Sequence, residues 1–100
     1  MRSYRLTPRA LQDLDNIADY TREKWGARQV DLYLTTLAKR FAWLAESPNA
    51  GRNRDDVGQG YRSYREGLHL IFYVVQRDNI AIIGVPHASM DIETYFQSPI

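Results

Sequence analysis

His87, Ser89 and Asp91 bring an imidazole, a hydroxyl and a carboxylate together inside the run His87-Ala88-Ser89-Met90-Asp91. Nucleophilic hydrolases use these groups: the serine attacks, the histidine takes its proton and the acid orients the histidine. That arrangement is made in space beside an oxyanion hole, and neighbourhood in sequence does not supply it. No Gly-x-Ser-x-Gly elbow accompanies the three residues. The simpler expectation is local hydrogen bonding by His87 and Asp91 at a strand end, with no catalytic residue. A metal site made from His69, His87 and Asp91 would need recognisable ligand spacing. Neither His-Glu-x-x-His nor paired His/Cys spacing occurs, so no metal and no cofactor are expected. The absence of cysteine removes thiolate nucleophiles, disulfides and cysteine-based zinc sites.

A second cluster is cationic. Arg52, Arg54, Arg62 and Arg65 gather around one loop and the strand after it, with Tyr61, Tyr64, Phe72 and Tyr73 nearby. Arginines hold phosphates and aromatic rings stack on bases, so a nucleic-acid surface is one reading. Asp55, Asp56 and Glu66 dilute the charge, and a formal net charge of +1 argues against non-specific nucleic-acid binding as the main work. A solvated loop or a surface for an acidic protein partner fits better. At strand spacing the aromatics pack a core and a sheet. Trp25 is expected to staple two helices together, whereas Trp43 falls off the apolar stripe and faces a partner.

These groups must be placed by a small scaffold. The segment from Arg2 to Leu6 alternates with a period of two, as a strand does. Thr7-Pro8 then supplies a capping hydroxyl and a first-turn proline, which starts a helix. Ala10, Leu11, Leu14, Ile17, Ala18, Thr21 and Trp25 recur at helical spacing, and Gly26 ends that helix. A second stripe, Val30, Leu34, Leu37, Phe41 and Leu44, runs to Ser47-Pro48. Two amphipathic helices joined so closely must fold back as an antiparallel hairpin, with Lys39, Arg40 and Glu46 facing water. After a polar loop the period becomes extended: Tyr61 to Arg65, then the nearly all-apolar Leu68 to Val75, then Ile80 to Val85. The middle run reads as the central strand, interrupted only by His69. A tail from Ser89 adds a helical turn or two.

The expected class is therefore α+β over residues 1–100 as a single domain: an N-terminal strand, an antiparallel helix hairpin, a three-stranded antiparallel meander and a short C-terminal tail. Hydrophobic residues form 44% of the 100 positions and charged residues 25%, the balance of a folded domain. A chain of this length leaves much apolar surface uncovered, which favours a protein partner. Nothing near Met1 resembles a secretory signal and no stretch spans a membrane, so a cytoplasmic location is expected.

Four segments in order, "YRLTPRALQDLDNIADYTREKWG", "LAESPNAGR", "YRSYREGLHLIFYVV" and "HASMD", resemble ParE toxins of the RelE/ParE superfamily. The resemblance covers nearly the whole chain. It implies the toxin of a type II toxin–antitoxin system, neutralised by a ParD-like antitoxin. ParE toxins poison DNA gyrase, whereas RelE toxins on the same fold cut messenger RNA on the ribosome. Leu70 and Val85-Pro86 stand where RelE-like enzymes place arginines, and no lysine follows Lys39. A binding poison is therefore favoured. The alternative is a RelE-like ribosome-dependent endoribonuclease using Arg62, Arg65, His69 and Tyr95. The resemblance places the antitoxin between helices and sheet, against Trp43, Arg52, Arg54, Arg62, Tyr64, Arg65 and His69. The target is expected against the tail, at His87, Met90, Asp91, Tyr95 and Phe96. One departure is Gly84, where many ParE-like chains carry an arginine.

Overall fold

The computed structural model describes residues 3–98. Strand β1 (Ser3–Leu6) leads into helices α1 (Pro8–Trp25) and α2 (Ala27–Glu46). Four strands follow, β2 (Arg52–Asn53), β3 (Tyr61–Glu66), β4 (His69–Val75) and β5 (Asn79–Gly84), and then helix α3 (Ile92–Gln97). Arg2, the expected first residue of the first strand, lies outside the described residues.

The first helix starts as its cap residues require. Ala10 N donates to the Thr7 hydroxyl at 3.3 Å, satisfying a helix-start donor, and Pro8 occupies the first turn. The Thr7 backbone and hydroxyl both donate to Ile82 O at 3.1 Å, so the cap also fastens the helix start to the sheet. Gly26 alone separates the two helices, with φ 92° and ψ 169°, a conformation that is essentially reserved for glycine.

The sheet runs β1-β5-β4-β3-β2. The last three strands form the expected antiparallel meander, with β4 at the centre. Strand β1 lies parallel to β5, Ser3 opposite Asn79 and Leu6 opposite Ile82. Both helices cover one face. Ile17, Leu37, Phe41 and Leu44 meet Ile71, Tyr73, Ile80 and Ile82 there, each burial stabilising by roughly 1.5–3 kcal/mol. The register puts Arg62, Tyr64 and Glu66 on this helix face, opposite Tyr73, Ile71 and His69. Tyr61, Ser63 and Arg65 point the other way with Val74, Phe72 and Leu70.

Three expectations change. Strand β2 comes from the polar loop, where two residues pair with Ser63 and Arg62. Trp25 staples nothing: it is 63% exposed, because it is the last residue of α1 and the chain turns back at once through Gly26. Arg40 does not simply face water: its Nε donates to Glu66 Oε1 at 2.8 Å across to β3. Lys39 and Glu46 are exposed as expected.

Candidate functional site

Two arginine–aromatic clusters flank the sheet. On the helix face, Trp43 of α2 and Tyr64 of β3 meet edge to face at 5.2 Å. Arg40, one turn earlier than Trp43, lays its guanidinium over both rings at 4.7 and 5.0 Å, and Glu66 fixes it there. Trp43 remains 40% exposed, so this cluster forms an open rim. Beside it, Arg62 Nη1 donates to Gly51 O at 2.6 Å. The Tyr73 hydroxyl holds the same loop, donating to Pro48 O and accepting from Gly51 N, each at 2.8 Å.

The rim continues along the end of β3. The Tyr33 hydroxyl contacts Glu66 O at 3.2 Å and His69 Nδ1 at 2.6 Å. Burial, reinforced by His87 across the ladder, lowers the pKa of His69 to about 4, leaving it neutral near pH 7. The two imidazoles meet edge to face at 5.4 Å. They close an apolar groove lined by Tyr20, Trp25, Tyr33, Leu68, His69 and His87.

On the opposite face the same residue types make a closed cover. Phe72 is 0% exposed beneath the Phe96 ring at 5.1 Å and the Arg54 guanidinium at 5.2 Å. Asp56 holds Arg54 at 3.1 Å. Of the residues expected to meet an antitoxin, the structure therefore gathers Trp43, Arg62, Tyr64 and His69 on the helix face. Arg52, Arg54 and Arg65 belong to the other face. Arg52 pairs with Ser63, Arg54 lies against Phe72, and Arg65 pairs with Leu70 and donates to Gly67 O at 3.0 Å. Side-chain alternation along a strand divides Arg62 from Arg65. Arg40, Glu66 and Tyr33 were missed, because the sequence does not show which helix residues lie across from which strand.

The His87, Ser89 and Asp91 cluster is not a triad. Ser89 donates to His87 Nδ1 from its backbone N–H at 3.1 Å and its hydroxyl lies 2.8 Å from the same nitrogen. Asp91 instead caps α3, accepting from Glu93 N at 3.1 Å and from the Thr94 hydroxyl at 3.1 Å. No group of three or more His, Cys, Asp or Glu residues is placed to hold a metal among the described residues.

Nor does the tail present five surface contacts. Met90 and Asp91 are exposed and His87 is half-buried, but Tyr95 is only 9% exposed and Phe96 packs on Phe72 and Tyr61. The Tyr95 hydroxyl donates to the Asp13 carboxylate, which also accepts from Val85 N at 2.8 Å. Burial, aided by the Asp13 carboxylate, pushes the Tyr95 phenol far above its ordinary pKa. Tyr95 therefore serves mainly the interior, its hydroxyl engaged by Asp13. The ribonuclease set is scattered as well: Arg62 and His69 share a face, Arg65 points to the other, and Tyr95 is engaged by Asp13.

With that geometry in view, comparisons with known proteins agree with one another. The family described as "ParE toxin of type II toxin-antitoxin system, parDE" matches residues 4–92. Toxin ParE1 of Caulobacter vibrioides is 36% identical over 95 residues, which cover 95% of this chain and 98% of that protein. Toxin ParE1 of Mycobacterium tuberculosis is 35% identical over 91 residues, covering 90% and 93%. Toxin ParE of Escherichia coli is 32% identical over 95 residues, covering 94% and 92%. A solved chain of the chromosomal ParDE system from P. aeruginosa superposes with a TM-score of 0.74 over 87% of this chain and 96% of its own length. At 21% identity that likeness bears on the fold alone.

Proposed function

The chain belongs to the ParE toxins of type II toxin–antitoxin systems, and from that membership we propose that a ParD-like antitoxin holds it inactive and that, when free, it arrests growth in the cytoplasm by binding DNA gyrase. The observation that carries this reading is the match to ParE toxins over nine-tenths or more of the chain. The dispersal of Arg62, Arg65, His69 and Tyr95 supports action by binding over RNA cleavage, which needs a base, a cation and an acid around one phosphate.

The antitoxin surface is the helix-face rim of Trp43, Arg62, Tyr64 and His69, extended by Arg40. Exposed aromatic area there lies beside arginines, which suits an amphipathic segment with acidic residues. Arg52, Arg54 and Arg65, on the other face, add at most long-range charge. The target surface is the loop bearing His87, Met90 and Asp91, with Tyr95 and Phe96 supporting it from within. Neither a membrane nor a sequence-specific nucleic-acid contact has a part in this function.

One experiment separates gyrase poisoning from RNA cleavage. The purified toxin is incubated with gyrase and supercoiled DNA, and in parallel with translating ribosomes. Stalled gyrase–DNA cleavage complexes with intact messages are expected. Codon-linked message cuts without a gyrase effect would reverse the conclusion in favour of a RelE-like ribonuclease.

A further inference from the structure

Helix α1 grips the far end of the chain twice. Arg9 donates to Tyr95 O at 2.8 Å and to Ser98 O at 2.5 Å, and its guanidinium lies over the Tyr95 and Phe96 rings at 5.0 and 5.6 Å. One turn later, a single Asp13 oxygen receives both the Tyr95 hydroxyl and Val85 N, joining the end of β5 to α3. Gly84 makes this possible. A Cβ at that position would clash with the Tyr95 hydroxyl and stand 3.0 Å from two ring carbons. The space that a side chain at position 84 would need is taken by Tyr95.

What lies between the two joined ends is the segment from Pro86 to Asp91. Its backbone is tied further, Leu70 N to Pro86 O at 2.9 Å, Ala88 N to Leu68 O at 2.7 Å and Met90 N to His87 O at 3.0 Å. Yet it presents an apolar side chain to solvent: Met90 is 47% exposed. A short segment anchored at both ends, displaying an apolar side chain, has lost its conformational freedom before any encounter, which favours binding.

We propose that Asp13, Gly84 and Tyr95 form a latch that holds the Pro86–Asp91 loop in its binding conformation, so that Asp13 and Tyr95 are positioning residues for the target surface. The functional half rests on the assignment above of this loop to the target.

Hydrogen exchange on the full chain reads the latch directly, and growth inhibition and antitoxin affinity read its use. Tyr95→Phe keeps the ring and removes one hydrogen bond. It should speed amide exchange at Val85, Ala88 and Met90 by roughly tenfold and weaken growth inhibition, while antitoxin Kd stays within about twofold. Gly84→Ala should loosen the loop more. Adding Tyr95→Phe to it should restore part of the loss, because the hydroxyl that alanine would meet is gone. Unchanged loop exchange in Tyr95→Phe, or no restoration in the double variant, would overturn the latch. Faster exchange with undiminished inhibition would overturn its positioning role. Met90→Ser leaves the latch atoms alone and should weaken inhibition. Full inhibition by that variant rejects the loop as target surface, independently of the exchange result.

Discussion

The two faces of the sheet use one chemical kit for opposite ends. On the helix face an arginine, held by a glutamate, lies over Trp43 and Tyr64, and the cluster stays open to solvent. On the other face an arginine, held by an aspartate, lies over Phe72, and Phe96 completes the closure. The polar tips of tryptophan and tyrosine tolerate water at a rim, whereas two phenylalanines have nothing to offer it. Arginine on an aromatic ring is therefore no mark of a binding site in itself. What distinguishes the rim is the aromatic surface left uncovered.

Substitutions on the two faces should accordingly separate stability from binding. The largest effect is expected from Phe72→Ala, which empties a fully buried position and should cost about 3–5 kcal/mol, read as a lower midpoint in urea. A second contrast comes from Tyr64→Ala combined with Arg62→Glu. Antitoxin affinity should weaken by about 2 kcal/mol or more, near thirtyfold by titration calorimetry, with the fold retained. Intact affinity would move the antitoxin off the rim.

Smaller again is the effect of acid on His69. Its folded pKa of about 4 lies below the ordinary 6.5, so the unfolded chain binds the proton first as pH falls. Stability from this group is present above pH 6.5 and is lost between there and about pH 4. Because the ring is partly solvated, the loss should be on the order of 1–2 kcal/mol. Thermal unfolding in that window should be less pH-dependent in His69→Gln. Smallest is Glu66→Gln, which removes the charge under Arg40. That pair is partly exposed, so unfolding should change by less than about 1 kcal/mol, detectable mainly as a loss of salt dependence.

The elements were legible in the residues because each announces its own period. Thr7-Pro8 marks a helix start, Gly26 a reversal, and the apolar run from Leu68 a central strand. All of these depend on neighbours in sequence. What was not legible depends on distant ones. Strand β2 is two residues long and exists only because β3 lies beside it. Tyr95 looked like part of a free tail, but its burial is decided by Asp13, 82 residues away, and by the missing side chain at Gly84. The division of the arginines was half legible: parity alone sends Arg62 and Arg65 to opposite faces. Arg52 is placed by the pairing of β2 with β3 and Arg54 by its approach to Phe72, and no local pattern records either.

The parallel pairing of Ser3–Leu6 with Asn79–Ile82 also sets an order of events during synthesis. Of the five strands of the sheet, β1 is made first and its neighbour β5 is made after the others, so the helices between them have no complete face to cover until β5 arrives. Partial chains can form the helix hairpin, whose contacts are local, but neither the five-stranded sheet nor the loop beyond it. The Pro86–Asp91 loop, which follows β5 directly, can take its place only once β5 has joined the sheet.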